Sequence, residues 1–360
     1  MTGESKSYMD TITLIEKLSN ARGASGYEDE VLEVVKEFSS GFEFSSDAMM
    51  NAYLNVPQAS KSKKPIIMLD AHLDEVAFMV QAIDKNGLLK ILPLGSWIVE
   101  NVAAQVFWVK AKAGYVKAVV ASKPPHFMTA AEREKKLCFE DLRLDLGACN
   151  REQLINDFGV FVGAPAVPFT QFEFNAKNGI LFGKAFDNRL GCAAVIKSLE
   201  ALKGLDLSVS SCGALAAQEE VGTRGAEVTA RTVKPKLAIV FEGSPSDDFF
   251  TDSFTSQAAV GKGVQIRIKD NSYVSHYRFL NFASEIAQRE GIPFQLAVRS
   301  GGSTDAGAIH LANGAVPVLV LGIPVRYAHT HHCYASIKDF ESAVELAVSV
   351  IKNIDESGLI

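Results

Sequence analysis

The 360-residue sequence lacks the features that mark secreted, membrane-spanning or nucleic-acid-binding proteins. Its five cysteines are odd in number and scattered, which does not suit a disulfide framework but does suit a reducing cytoplasm. The first twenty residues lack the apolar core of a signal peptide, and no apolar run is long enough to span a bilayer. The formal net charge of -6, without a basic block, argues against nucleic acid as a partner. We therefore expect a cytoplasmic protein that binds neither membranes nor nucleic acid.

The sequence does contain enough apolar residues for a large core. With 48% hydrophobic residues, a chain of this length can fold into two domains. Apolar strands and amphipathic helices occupy residues 1–74 and return over 176–360, a pattern typical of an α/β domain. Residues 75–175 instead contain short apolar runs separated by glycine and proline. The sequence thus predicts a discontinuous α/β domain into which a small β-rich domain is inserted.

Two adjacent carboxylates, Glu219 and Glu220, follow an apolar segment over 207–217 that is typical of a buried strand. Gly222 and Gly225 then allow the chain to turn. Two acids at the end of a buried strand repel each other and lose hydration, so a cation is needed to compensate them. An isolated pair of glutamates is, however, more often a solvated acidic turn.

Four other apolar segments also end in residues that commonly bind metals, namely His72, Asp187, Glu242 and His329. Because sites in open α/β sheets form beyond the carboxyl ends of the strands, these side chains can converge with the two glutamates. Imidazoles and carboxylates together suit zinc or cobalt, and carboxylates can bridge two ions. Asp74, two residues after His72, can either orient that histidine or share its site.

Five motifs in a fixed order resemble the M42 family of metallo-aminopeptidases. They are AHLDEV (71–76), GKAFDNRLG (183–191), QEEVGTRGA (218–226), GGSTDAGAIH (301–310) and PVRYAHT (324–330). SGYE (25–28) and SKPPH (122–126) extend the resemblance to nearly the whole chain. The family includes glutamyl and tetrahedral aminopeptidases, and some members are labelled endoglucanase or cellulase M. The resemblance implies a mixed sheet flanked by helices, of the dinuclear-zinc aminopeptidase type, and an enzyme that removes N-terminal residues from short peptides.

Carried onto this sequence, the resemblance implies two divalent ions per chain, zinc or cobalt. His72, a bridging Asp187 and Glu242 would hold one ion. Asp187, Glu220 and His329 would hold the other. Glu242 stands where many relatives have Asp, which adds a methylene group to one ligand.

The resemblance also implies catalytic and substrate-binding residues. Glu219 would act as the general base, and Asp74 would support the metal ligand His72. A tight loop before the helix that runs through His310 would contact the substrate through Gly301, Gly302, Thr304 and Asp305. Because of its position, Asp305 is also expected to cap that helix.

Three neighbouring histidines compete for the last ligand position. In an extended chain His329 and His331 would share a face, whereas His332 would point away. The Arg-Tyr-x-His-Thr pattern favours His329, which leaves the other two as solvent-facing or supporting groups. Relatives usually carry Glu four residues after the ligand, where this chain has Cys333.

The inserted β-rich domain carries no cluster of metal-binding or nucleophilic residues. The resemblance implies that it makes dimer contacts and that dimers build a tetrahedral particle of twelve chains. Three other functions remain open: a related deacylase or carboxypeptidase, an endoglucanase, and a non-catalytic assembly protein. An endoglucanase is the weaker reading, because a glycosidase needs two opposed carboxyls and would leave the histidines without a role. Arg189 and Arg224 either neutralise carboxylates near the site or tie loops together.

Overall fold

The computed structural model describes residues 3–57 and 63–360. The nine α-helices within these ranges are α1 Gly3–Asn20, α2 Asp29–Phe38, α3 Ala130–Glu134, α4 Arg151–Asn156, α5 Phe186–Leu202, α6 Arg224–Val233, α7 Tyr277–Glu290, α8 Ala306–Ile309 and α9 Ile337–Lys352. The strands are β1 Phe44–Ser46, β2 Ala52–Leu54, β3 Ile66–His72, β4 Ala77–Ile83, β5 Leu89–Leu94, β6 Val106–Ala111, β7 Gly114–Val120, β8 Arg143–Asp145, β9 Pro165–Pro168, β10 Glu173–Asn175, β11 Ile180–Gly183, β12 Ser210–Ala216, β13 Leu237–Pro245, β14 Val264–Lys269, β15 Phe294–Val298, β16 Val318–Arg326 and β17 Cys333–Ser336. No helix in the described ranges has both the length and the apolar character needed to cross a membrane.

Eleven strands form one mixed sheet, in the order β1-β2-β12-β3-β13-β16-β17-β11-β10, with β14 paired to β16 and β15 paired to β14. Its centre is parallel, because β12 and β13 flank β3 and β13 pairs with β16 in the same direction. The outer strand pairs β1–β2 and β10–β11 are antiparallel. The prediction of a mixed sheet flanked by helices is confirmed.

The parallel strands are covered on both faces, which explains their nearly continuous apolar sequences. In β13, Ile239 and Phe241 pack in a core cluster with residues of α1, α5 and α9. The alternating residues Ala238 and Val240 pack in a second cluster with residues of α6 and α8. Because successive side chains point to opposite faces of a sheet, one apolar strand supplies both clusters. This arrangement holds the carboxyl ends of the central strands in fixed positions.

The inserted segment forms a closed barrel with strand order β4-β5-β8-β7-β6-β9. Its core contains Phe78 and Phe107, whose ring centroids lie 5.5 Å apart in an edge-to-face arrangement. Burial of each ring contributes roughly 1.5–3 kcal/mol. The β-rich character predicted for this part of the chain is confirmed.

The chain divides into two compact units. The first comprises the described residues up to Asp74, then Gln171–Ala328 and His332–Ile360. The second comprises Glu75–Thr170 and the short segment His329–His331. Strand β10, although it lies within the range 75–175, pairs with β11 and so belongs to the large sheet.

Candidate metal centre

The residues expected to bind metal come from the ends of neighbouring parallel strands. His72 is the last residue of β3, and Glu242 lies in the second half of β13. Asp187 lies in the first turn of α5, where its backbone angles are not helical. The approach of β13 to that turn depends on Gly243, since a Cβ atom there would lie 2.5 Å from the Cα of Asp187. This glycine allows Glu242 to lie beside Asp187.

Two sets of side chains bring their ligand atoms within 4.8 Å of one another. The sets are His72, Asp187 and Glu242, and His72, Glu219 and Glu220. The Nε2 atom of His72 lies 3.1 Å from Oδ1 of Asp187 and 3.9 Å from Oε2 of Glu219. His72 is thus common to the two sets.

Asp74 connects His72 to the turn that carries the two glutamates. Its Oδ1 lies 3.5 Å from Nδ1 of His72 and accepts the N–H of Glu219 at 2.9 Å. Its Oδ2 accepts the N–H of Glu220 at 3.2 Å and the hydroxyl of Ser25 at 2.6 Å. Burial alone raises the pKa of Asp74, but the hydrogen bonds from His72 and Ser25 outweigh burial and lower it. Asp74 is in neither of these ligand sets, so its position suits an orienting role.

Buried carboxyls dominate the electrostatics of this site. Burial raises the pKa of Glu219 well above its ordinary value. Burial, followed by the charge of Asp187, does the same to Glu242. For His72, burial lowers the pKa, yet its hydrogen bonds to Asp187 and Asp74 outweigh burial and raise it. Carboxylate oxygens and imidazole nitrogens crowded in this way fit a divalent cation, because they supply its preferred donors and need its charge.

The three neighbouring histidines lie in different surroundings. Nδ1 of His329 lies 2.8 Å from the carbonyl oxygen of Ser96. His331 is 1% exposed, and its ring packs edge-on against Phe107 at a centroid distance of 4.5 Å. His332 is exposed and stacks on Phe182.

The expectation that His331 faces solvent or supports the metal site is therefore wrong. Alternating directions hold only for an extended chain, but Tyr327 and His329 have positive φ angles of 60° and 61°. These left-handed residues turn the backbone between β16 and β17, so His331 is directed into an apolar core.

The loop expected to bind substrate is only partly accessible. Gly301 and Gly302 are exposed, whereas Thr304 is 0% and Asp305 is 1% exposed. The prediction that Asp305 caps helix α8 is wrong, because its side chain makes no capping hydrogen bond. Burial, and next the charge of Asp70, raise the pKa of Asp305 well above its ordinary value.

Asp70 is a buried residue near the site that the sequence motifs did not identify. It lies in β3 two residues before His72, and burial raises its pKa to about 8. A carboxyl within an apolar strand, on the same face as a ligand, was the signal that could have identified it.

Arg189 ties separate backbone segments together, as one of its two expected roles requires. Its guanidinium donates to the carbonyl oxygens of Leu73 and Leu18 at 2.7 Å each and of Ala21 at 3.0 Å. Cys333 is buried, its thiol lies 3.5 Å from the carbonyl oxygen of Tyr327, and it belongs to none of the ligand sets.

Known proteins resemble this chain over nearly its whole length. The sequence model of the M42 glutamyl aminopeptidase family matches residues 53–346. The glutamyl aminopeptidase of Lactococcus lactis subsp. cremoris is 31% identical over 352 residues, which cover 96% of this chain and 97% of the relative.

Solved structures agree with the sequence match. A TET aminopeptidase from a marine-sediment thaumarchaeote has a TM-score of 0.92 and 32% identity, covering 98% of this chain and 100% of its own. The TET1 peptidase of Pyrococcus horikoshii, described as assembling into a tetrahedron or a large octahedral shell, has a TM-score of 0.83 at 26% identity, covering 95% and 99% of the two chains. The chain therefore belongs to the M42 glutamyl aminopeptidase family and is a peptide hydrolase.

Proposed function

We propose that the protein is a metal-dependent aminopeptidase that removes N-terminal residues from short peptides with two divalent ions, zinc or cobalt. The supporting observation is the pair of ligand sets that share His72. Asp187 and Glu242 complete one set, and Glu219 and Glu220 complete the other. The family resemblance adds His329 as a further ligand. When bound, the two ions would lower the pKa of water and polarise the scissile carbonyl.

Glu219 is the residue to which we assign proton transfer. Its Oε2 lies 3.9 Å from Nε2 of His72, so its carboxylate reaches the space that the ligands surround. It takes the proton of the attacking water and later passes that proton to the leaving amine. Burial raises the pKa of Glu219, and the positive charge of His72 acts in the opposite direction. Positive charge in the site thus favours the ionised form that a general base requires.

The charge of the site favours a substrate with a free amino group. A protonated or neutral amine needs an acceptor, and the carboxylates of Glu219, Glu220 and Glu242 are acceptors at the ends of the central strands. An N-acylated substrate keeps one amide N–H but lacks the basic amine and its positive charge. This difference separates an aminopeptidase from a deacylase or carboxypeptidase.

A panel of aminoacyl anilides, each with its N-acetylated counterpart, tests this proposal. We expect the metal-loaded protein to hydrolyse free-amine substrates and to leave the acetylated ones intact. A Glu219→Gln sample prepared in parallel controls for contaminating peptidases. Release of acetate from the acetylated set without cleavage of the free-amine anilides would instead identify a deacylase, and hydrolysis of a β-1,4-glucan without peptide cleavage would identify an endoglucanase.

We further propose that the chain forms homo-oligomers in which the barrel of Glu75–Thr170 contributes dimer contacts. Dimers would then assemble into a tetrahedral particle of twelve chains, as the tetrahedron and the dodecamer described for similar TET1 structures suggest. The cytoplasmic location remains a prediction based on the cysteine pattern.

A further inference from the structure

The turn that carries Glu219 and Glu220 is held by carboxylates at three consecutive backbone N–H groups. Glu28 accepts the N–H of Gln218 through Oε1 at 3.2 Å. Asp74 accepts the next two, from Glu219 at 2.9 Å and from Glu220 at 3.2 Å. Asp74 also lies 3.5 Å from the proposed metal ligand His72, whereas the hydrogen bonds that the Glu28 carboxyl accepts within the described residues come from Gly26 and Gln218.

This turn needs restraint because its first residue is strained. Gln218 has a φ angle of +59°, in the left-handed region that non-glycine side chains disfavour. Such a conformation costs on the order of 1 kcal/mol and persists when surrounding contacts hold it. The preceding residue, Ala217, donates its N–H to the side chain of Asn51 at 2.8 Å. The turn therefore depends on side chains from distant parts of the chain.

Glu28 is buried in a way that packing alone does not explain. It is 0% exposed, and its Oε1 also accepts the N–H of Gly26 at 2.9 Å. Its Oε2 has no hydrogen-bond partner among the described residues. Burial, and then the charge of Asp74, raise the pKa of Glu28 to about 7. An apolar side chain of equal size would be cheaper to bury, so the carboxyl is there as an acceptor.

The segment that carries Glu28 is held in place by hydrogen bonds within the first unit. Lys184 donates to the carbonyl oxygen of Ala21 at 2.9 Å, and Arg189 donates to the same oxygen at 3.0 Å. Ser25 donates its hydroxyl to Asp74 at 2.6 Å. Glu28 then precedes helix α2 as its N-cap residue. Because this segment is held in place, the side chain of Glu28 can hold the turn in a fixed position.

We propose that Glu28 is a positioning residue that sets the turn of Gln218–Glu220, and through it the carboxylate of Glu219, for proton transfer. This assignment rests on the proposed aminopeptidase function. Without the acceptor, the N–H of Gln218 loses its partner and the strained turn relaxes. A displacement of about 1 Å at a reacting group can lower turnover by roughly 10²-fold.

Two substitutions distinguish the hydrogen-bond acceptor of Glu28 from the volume of its side chain. Glu28→Met keeps the length but removes the acceptor, and we expect kcat to fall by about 10–100-fold with KM and metal content nearly unchanged. Glu28→Gln keeps an acceptor oxygen and should retain kcat within about threefold, on the same principle of second-shell support. An equal loss in both variants, or no loss in Glu28→Met, would overturn the proposal.

Asp339 provides a matched control for the loss of a buried carboxyl. It is 1% exposed and accepts the N–H groups of Gly261 and Gly263 at 2.6 and 2.7 Å, away from the catalytic turn. Asp339→Leu should lower stability while leaving kcat per folded, metal-loaded chain unchanged. If Asp339→Leu lowers kcat as much as Glu28→Met does, the effect of Glu28 is one of general stability and the proposal is wrong.

Hydrogen exchange in metal-free protein tests the restraint without any assay of hydrolysis. The amide of Gln218 should be protected in wild type and in Glu28→Gln, and should exchange at least about tenfold faster in Glu28→Met, since exchange follows local opening. Unchanged protection in Glu28→Met overturns the proposal. If the wild type hydrolyses no peptide, the proposed function fails, while the exchange result still decides whether Glu28 holds the turn.

Glu28→Asp is the alternative test variant if Glu28→Met does not fold. It keeps the charge but retracts the acceptor by one methylene group, so kcat should fall by about tenfold or more. Wild-type kcat and wild-type exchange in Glu28→Asp would contradict the positioning role.

Discussion

The Nδ1 atom of His329 lies 2.8 Å from the carbonyl oxygen of Ser96. An N–H donated from Nδ1 to this oxygen fixes the tautomer in which Nε2 carries a lone pair. A histidine oriented in this way is suited to metal binding. His331, two residues later, has its ring packed against Phe107 instead.

These two histidines therefore predict opposite phenotypes. His329→Ala should reduce bound metal from two ions to about one per chain and remove most activity, because one ion of a two-metal site is lost. His331→Ala should keep both ions but lower stability by roughly 2–4 kcal/mol, as expected for a cavity at a buried ring. Metal analysis of both variants measures the number of bound ions, and denaturation measures their stability. The reverse pattern would reassign the ligand to His331.

Glu219→Gln should lower turnover by about 10²–10⁴-fold, because general-base catalysis contributes a factor of that size. The amide keeps the size of the side chain, so metal content should stay at the wild-type level. Glu220→Gln is the matched control, since it alters a proposed ligand in the adjacent residue and should reduce metal content. Loss of metal in Glu219→Gln with retention in Glu220→Gln would exchange the two roles.

Removal of metal should abolish hydrolysis. The ligand sets consist of imidazole and carboxylate groups, so dialysis against a strong chelator should inactivate the protein, and zinc or cobalt should restore it. Calcium, which prefers oxygen ligands alone, serves as the control ion and should not restore activity. Full activity in a sample verified to be metal-free would disprove the dinuclear mechanism.

Stability should depend on pH through Asp339. Burial, and then the charge of Asp248, raise its pKa from 3.8 to about 6. A carboxyl that holds its proton more tightly in the folded state stabilises the fold below about pH 4, and this stability is lost as pH rises through 6. The loss amounts to roughly 3 kcal/mol. Asp339→Asn removes the titrating group, so the stability of the variant relative to wild type should rise by about that amount between pH 4 and 7.

Urea denaturation of both proteins in metal-free buffer measures this difference. A difference in stability that stays constant across the pH range would show that Asp339 does not titrate in this window. Asp339→Asn should be less stable at pH 4, because an amide has one acceptor oxygen for the N–H groups of Gly261 and Gly263.

Light scattering should find a particle of twelve chains at micromolar concentration, if the assembly resembles the dodecamer described for a similar TET1 structure. A stable dimer would support only the contact proposed for the barrel. A monomer would contradict the proposed assembly, while hydrolysis of anilides by that monomer would leave the catalytic proposal intact.

The central sheet was predictable because its strands have a simple physical requirement. A parallel strand covered on both faces must be apolar throughout, and β3, β12, β13 and β16 all satisfy this over most of their lengths. Their shared direction places their carboxyl ends at one edge, so His72 and Glu242 could be assigned to a common site from sequence. The ordered motifs that identified the family also lie at strand ends or turns.

The tertiary structure determined features of the site that local sequence patterns do not specify. The sequence by itself determined which residue types stand at the strand ends. It did not determine the direction of His331, because positive φ angles at Tyr327 and His329 break the alternation of an extended chain. It gave no role to Glu28, whose partner Gln218 is 190 positions away. Hydrogen bonds between such distant groups depend on how the whole chain packs, and local periodicity carries no information about them.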